Sequence, residues 1–305
     1  MENYGVVILP SLLMGLLARL YMIRIDHRQY PSYPQGLLSH LTLGVIAAGL
    51  GSVALPALLS KEYSAVTFLA LAAQQFRDVR SMERQSLDNI EPTELVPRGT
   101  AYIEDIAKAF EARNYMVIIT ALMTSIAIYF AHWMKQPRFV QIMVGIVVGL
   151  LVIVFLKGML KRQSVAEIAE VRIGKIYFEG PLLMVNGIVI MNIGLKSTKK
   201  IYEEKGVAVE IVPKNVDAKA TLANTGQRQA IQHNVAVHLG IQKDVDEPEF
   251  TPIARRNAQD GTIIMVIVPT EVDRELLVAA VEGTPVLETA KRKPFKAKGT
   301  QMNRS

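Results

Sequence analysis

The sequence predicts an α-helical multi-pass membrane domain followed by a soluble α+β domain. Three observations carry this. Half of the 305 residues are hydrophobic, and most of the long apolar runs lie before Leu160. After Ser164 come short alternating strands, turn signals and two amphipathic helices, without the regular strand–helix alternation of a doubly wound sheet. Between the two regimes, residues 67–113 pass from apolar helix to charged helix and back into an apolar run, as a segment at a membrane face does. The expected organisation is a membrane domain over 1–163, a cytoplasmic α+β domain over 164–290, and a basic, disordered tail over 291–305.

The first span is 4–23, about 20 residues and long enough for a hydrocarbon core of roughly 30 Å. It has no basic region before it and no small-residue cleavage site after it, so it reads as a retained anchor. Arg19, near its end, is expected to snorkel toward the headgroups. The second span, 36–60, carries Gly44, Gly49 and Gly51, which permit close helix packing. Pro56 kinks it or marks its exit. The third, 63–77, is short: only residues 63–73 are continuously apolar or small. Spans 115–134 and 139–156 are joined by the loop Lys135-Gln136-Pro137-Arg138. The last contains Gly145-Ile146-Val147-Val148-Gly149, a GxxxG pattern that can pair copies of the chain, so homo-oligomerisation is left open.

Basic residues decide the parity. With five spans and the N-terminus outside, the inner side receives Arg24, Arg28, Arg77, Arg80, Arg84, Arg98, Lys108, Arg113, Lys157, Lys161 and Arg162. The outer side receives only Lys61, Lys135 and Arg138. This distribution satisfies the positive-inside rule, with the C-terminus in the cytoplasm.

In the second half, residues 164–171 read as a short juxtamembrane helix and 173–178 as a strand. Strands 182–185 and 188–193 flank Asn186-Gly187, a strong two-residue hairpin signal. Residues 207–212 form another strand. Asn224 or Thr225 caps a helix with Ile231, Val235 and Leu239 on its buried stripe and Gly240 at its end. Strands 250–256 and 262–268 make a hairpin across Asp260-Gly261. Thr270 is expected to cap a last helix running to about Val281.

The chain has no cysteine, which excludes disulfides, thiolate metal sites and a cysteine nucleophile. Its net charge of +6 has a local source, because the last fifteen residues hold Lys291, Arg292, Lys293, Lys296, Lys298 and Arg304 and no acid. This tail suits anionic lipid headgroups. No aromatic-interleaved basic surface accompanies it, so no nucleic-acid partner is expected.

Candidate binding residues fall in two places. Gln74, Gln75, Arg77, Asp78 and Arg80 sit at the membrane face, where Glu104, Asp105 and Glu111 can answer them as a clasp or a polar substrate site. Gly226, Gln227, Arg228 and Gln229 stand at a helix N-terminus, where free N–H groups and the Arg228 guanidinium suit an anion or a partner's carboxylate, with His233 further along the helix as another binding candidate; the first four also read as an exposed helix face. His233 and His238 lie about 140° apart around that helix and share no metal face. The acidic run 244–249 reads as a solvated loop, so no metal and no cofactor are expected. Asn224-Thr225-Gly226 has an amide where an aspartic protease needs its carboxylate, and reads as a cap. No His-Glu-x-x-His or Gly-x-Ser-x-Gly occurs.

The stretch Tyr102-Ile103-Glu104-Asp105-Ile106-Ala107 resembles the signature that names the YIEGIA family, multi-pass membrane proteins of spore-forming Firmicutes. Residues 67–80, Gly226-Gln227-Arg228-Gln229-Ala230-Ile231 with His233-Asn234, and Phe250-Thr251-Pro252-Ile253-Ala254-Arg255 resemble the same family. Asp105 stands where the family name has glycine. A residue that replaces glycine within a helix is expected to be exposed. The resemblance implies a sporulation-linked protein of the spore or forespore membrane that controls or scaffolds other membrane proteins. A membrane-bound protease acting on such proteins is the alternative, with Asp78, Glu104 and Asp105 as candidate carboxylates. A transporter is disfavoured, since neither repeats nor paired broken helices occur.

Overall fold

The computed structural model describes residues 4–26, 34–159, 162–241 and 250–294. The chain divides into two compact units, Met1–Gln85 with Ile106–Lys161, and Ser86–Asp105 with Arg162–Ser305.

The first unit is helical. It holds α1 (Gly5–Asp26), α2 (Pro34–Leu59), most of α3 (Tyr63–Ile90), most of α4 (Thr100–Trp133) and α5 (Arg138–Met159). Among the described residues four helical stretches are long and apolar enough to cross a membrane: Gly5–Met22, Leu38–Leu59, Thr100–Trp133 and Arg138–Met159. The helix α3 is continuous but turns polar after Ala73, and is not one of them.

Small residues bring these helices together. A Cβ on Gly51 would lie 2.3 Å from the Ile118 carbonyl oxygen, so α2 meets the backbone of α4 there. The GxxxG pattern of α5 is used within the chain. Gly145 faces Ile128 and Thr124 of α4, and Gly149 faces Thr124 and Met14, where a Cβ would come within 2.4 and 2.7 Å of its nearest neighbour respectively. Gly49, by contrast, has open space. Pro56 falls in the last turn of α2, where the Ser60 hydroxyl donates to its carbonyl at 2.8 Å.

Arg19 corrects an expectation. It does not snorkel; it is wholly buried. Its Nε donates to the His40 carbonyl at 3.2 Å, and its guanidinium lies 5.3 Å from the centre of the Phe110 ring. The His40 ring packs on the same phenyl at 4.6 Å. A charge inside a helical bundle requires such groups around it.

The second unit is α+β. Its elements after Arg162 are α6 (Val165–Ile168), β1 (Ala169–Gly174), β2 (Ile176–Glu179), β3 (Leu182–Val185), β4 (Ile188–Asn192), α7 (Lys196–Lys205), β5 (Val207–Pro213), α8 (Val216–Leu222), α9 (Thr225–Leu239), β6 (Ile253–Arg256), β7 (Ile263–Ile267) and α10 (Arg274–Glu282). One antiparallel sheet runs β1-β5-β7-β6 and a second runs β2-β3-β4. Alternation along β5 and β7 builds two cores. Val207, Val209, Ile211, Ile263, Met265 and Ile267 pack with α9 and α10. Ala208, Ile264 and Val266 pack with Leu183, Val185, Ile190 and Tyr202. A strand covered on both faces must be apolar throughout, and all five residues of β7 are buried.

The predicted strand 173–178 is in fact broken at Lys175, because the chain leaves one sheet for the other. The hairpin residue Asn186 (φ +48°) accepts the Lys175 N–H at 3.0 Å and donates to Glu210 at 3.1 Å, fixing that crossing. The juxtamembrane helix shrinks to the four residues of α6, since β1 already begins at Ala169. Asp273, not Thr270, caps α10, its carboxylate accepting the Leu276 N–H at 2.9 Å. Asn224 caps α9 through the Gln227 N–H at 3.2 Å, and Gly240 ends it at φ +65°.

Candidate functional site at the signature segment

The connection between α3 and α4, residues 91–99, belongs to the soluble unit together with the last residues of α3 and the first of α4, Ser86–Asp105 in all. A 3-10 turn over Glu91–Thr93, with Pro92 inside it, opens the connection. The chain then extends and places Val96, 5% exposed, in the core beside Val165, Ile231 and Val235. Arg98 is buried between two carboxylates, 2.7 Å from Glu94 and 3.9 Å from Glu91. Glu91 also accepts the Gly99 N–H at 2.5 Å. Gly99 takes φ +80°, and a Cβ there would lie 2.4 Å from the Gln229 side-chain oxygen. The positive φ favours glycine there, while the Gln229 amide end could give way to a side chain.

The first turn of α4 then packs on α9. Gly226 permits it, since a Cβ there would stand 2.6 Å from that of Ala101. Tyr102 is buried and meets the His233 ring edge-on, 6.1 Å between centres. His233 holds the connection, its Nδ1 lying 2.5 Å from the Val96 carbonyl oxygen, a residue 137 positions earlier. That nitrogen therefore carries the proton. Burial pushes the His233 pKa below its ordinary value; the Val96 hydrogen bond, and more weakly Glu94 and Glu91, oppose this, while Arg98 adds to it. The imidazole is neutral at pH 7.

Asp105 overturns the expectation of exposure, being 1% exposed. One carboxylate oxygen accepts the Glu288 N–H at 3.0 Å, and the other lies 2.9 Å from an Arg162 nitrogen. Arg162 also donates to the Asp105 carbonyl at 2.7 Å. A helical residue in place of glycine is thus tolerated because its charge is answered, not because it faces water.

The run Gly226-Gln227-Arg228-Gln229 works mainly as a set of staples. Gln227 is fully buried and donates to the Pro285 carbonyl at 3.0 Å while accepting the Leu287 N–H at 2.8 Å. Gln229 donates to the Pro97 carbonyl at 3.4 Å. Asn234, two turns on, donates to Ala280 at 2.7 Å and Thr284 at 3.1 Å. Arg228 is half-buried, and burial together with the nearby Arg256 lowers its pKa.

The candidates on α3 belong to the helical unit. Gln74 and Asp78 are exposed on α3, and Arg80 stands 3.8 Å from Glu111 within the helical unit. The side chains of Gln75 and Arg77 lie outside the described residues, as do the acidic run 244–249 and the tail after Pro294. Glu104 is half-buried beside Asp105. Among the described residues, no group of three or more histidines and carboxylates is placed to hold a metal ion. Sequence reasoning missed Val96, Glu91, Arg98, Gly99 and Arg162. The two prolines and Gly99 mark a shaped loop, but nothing local says that it enters a core.

Fold and site together define a class: a multi-pass helical membrane protein whose soluble α+β unit incorporates the connection between two membrane-domain helices. A family model described as "YIEGIA protein" matches residues 7–297, and the chain belongs to the YIEGIA family. It is 42% identical over 295 residues to the uncharacterized protein YphB of Bacillus subtilis (strain 168), covering 96% of each chain. No solved structure matches it.

Proposed function

We propose that this protein is a sporulation-associated integral membrane regulator that controls or scaffolds other spore membrane proteins. The observation that carries this reading is the anchoring in the soluble unit of the connection before the signature, through Val96 and its hydrogen bond to His233, and of the signature's own start, through Tyr102 and the Asp105–Arg162 pair. The groups that the signature contributes there are spent on joining chain segments. A ligand or partner bound to the α+β unit would thereby act on the segment that links α3 to α4. The match to a protein of a spore-forming bacterium supports the setting.

The test is to co-express spore membrane proteins with the wild-type chain and with Asp78→Ala, Glu104→Ala or His233→Ala, and to follow binding, abundance and fragments. His233→Ala is expected to weaken partner capture, while the two carboxylate variants leave every fragment pattern as in wild type. Fragments that vanish specifically in Asp78→Ala or Glu104→Ala would establish the membrane-protease reading instead.

A further inference from the structure

We infer that the cavity at the loop end of α4 and α5 binds one phosphate group, carried by an anionic lipid headgroup or by soluble phosphate. The cavity measures about 180 Å³ and is lined by Tyr4, Val7, Tyr129, His132, Arg138 and Gln141, among others. Among the described residues no carboxylate lines it. Its described lining includes Arg138, His132, Tyr4 and Tyr129, whose polar groups suit an anion better than a cation. Arg138 is the first residue of α5, so the free N–H groups of that first turn add positive potential at the same end. The volume falls below the roughly 300–1,000 Å³ of drug-sized pockets and suits a compact group.

Gln141 is the second line of argument. It is 6% exposed in a helix otherwise apolar enough to cross a membrane. Its amide nitrogen donates to the Gln136 carbonyl at 2.7 Å and lies 3.4 Å from Nδ1 of His132. The residue thus fixes the loop and orients the imidazole at the cavity wall. A buried polar group in such a helix marks a functional position. The ring of His132 also neighbours that of Tyr129, 6.4 Å between centres. At the same ends of α4 and α5, Phe130, Trp133 and Phe139 are 56%, 71% and 74% exposed. Exposed aromatics at the ends of membrane helices sit at the headgroup level, where lipid phosphates lie.

The test is native mass spectrometry of the full chain, titrated in detergent with phosphatidylglycerol, with phosphatidylcholine, and with phosphatidylglycerol plus inorganic phosphate. One saturable phosphatidylglycerol adduct is expected, with phosphatidylcholine bound far more weakly. Arg138→Gln should weaken it about tenfold, the loss of a charge-assisted contact. Tyr129→Phe, which keeps the ring and removes a donor, should weaken it severalfold. Lys135→Gln removes the same charge from the same loop outside the cavity and should leave the adduct intact. Displacement of the lipid by millimolar phosphate assigns the site to soluble phosphate, and its absence assigns it to the headgroup; either outcome keeps the site. Lipid-free melting temperatures check that each variant folds. Equal binding of phosphatidylcholine, or equal losses in Lys135→Gln and Arg138→Gln, would overturn the proposal.

Discussion

Asp105 and Arg162, 57 positions apart, meet twice: carboxylate to guanidinium at 2.9 Å, and guanidinium to the Asp105 carbonyl at 2.7 Å. The aspartate is buried, whereas the arginine side chain keeps 25% exposure, so the two are not equally costly to orphan. Removing Arg162 strands a carboxylate inside the protein. Removing Asp105 leaves a cation that can still reach water. Arg162→Met is therefore expected to destabilise the chain on the order of 2–4 kcal/mol, and Asp105→Gly by less. Chemical denaturation of single and double variants would show it. A double variant no more stable than the additive sum would mean the pair is uncoupled.

His233 gives the second prediction. Its folded pKa lies below the ordinary 6.5, so between those values the unfolded chain binds the extra proton. The stability it contributes is complete above pH 6.5 and drains away as pH falls toward the folded value. Protonation would also place a cation beside Arg98. Wild-type stability should therefore fall as pH drops below the ordinary 6.5 toward the lowered folded value, and residues 91–99 should become open to protease. His233→Asn keeps a donor for the Val96 carbonyl but does not titrate there, and should flatten that part of the profile. Equal pH slopes in wild type and variant would rule this out.

How much of this the sequence discloses depends on how local each signal is. The Asn186-Gly187 hairpin, the α9 stripe of Ile231, Val235 and Leu239, and its Asn224 cap are written within a few residues, and the structure has them. The helix α7 escapes because only Ile201 and Tyr202 are apolar along its ten residues, too few to show a period. The seven residues of α8 are too short for the same reason, although Asn215 caps them at 2.8 Å. The site is hardest to read. The His233–Val96 and Glu288–Asp105 contacts bridge 137 and 183 positions, and no local pattern encodes such a meeting. Arg19 is misread for a related cause. A charge near the end of an apolar run looks free to reach water until Phe110 and His40 close over it.

Asn114 offers a third prediction. It is wholly buried in α4, and among the described residues neither its amide nitrogen nor its oxygen has a hydrogen-bond partner. An unsatisfied buried amide costs about 1–3 kcal/mol. Asn114→Leu, close in volume, should raise the melting temperature of the full chain in detergent. A lower melting temperature would show that the amide is satisfied in the native membrane protein after all.

The last prediction concerns α3. Among the described residues four helices meet the requirement for crossing a membrane and α3 does not, since its charged half begins soon after Ala73. The distribution of basic residues nonetheless favours a crossing by its first half. Without it, Arg77, Arg80, Arg84 and Arg98 would lie outside, against the positive-inside tendency. We therefore expect five crossings, with the N-terminus out and the C-terminus in. The absence of cysteine makes the chain its own background for labelling. Single cysteines at the exposed positions Glu62, Thr93 and Lys135 distinguish the arrangements. With five crossings, a membrane-impermeant maleimide should label Glu62→Cys and Lys135→Cys in intact cells, and Thr93→Cys only after lysis. If the helix does not cross, Glu62→Cys and Thr93→Cys must instead behave alike, because no span then separates them.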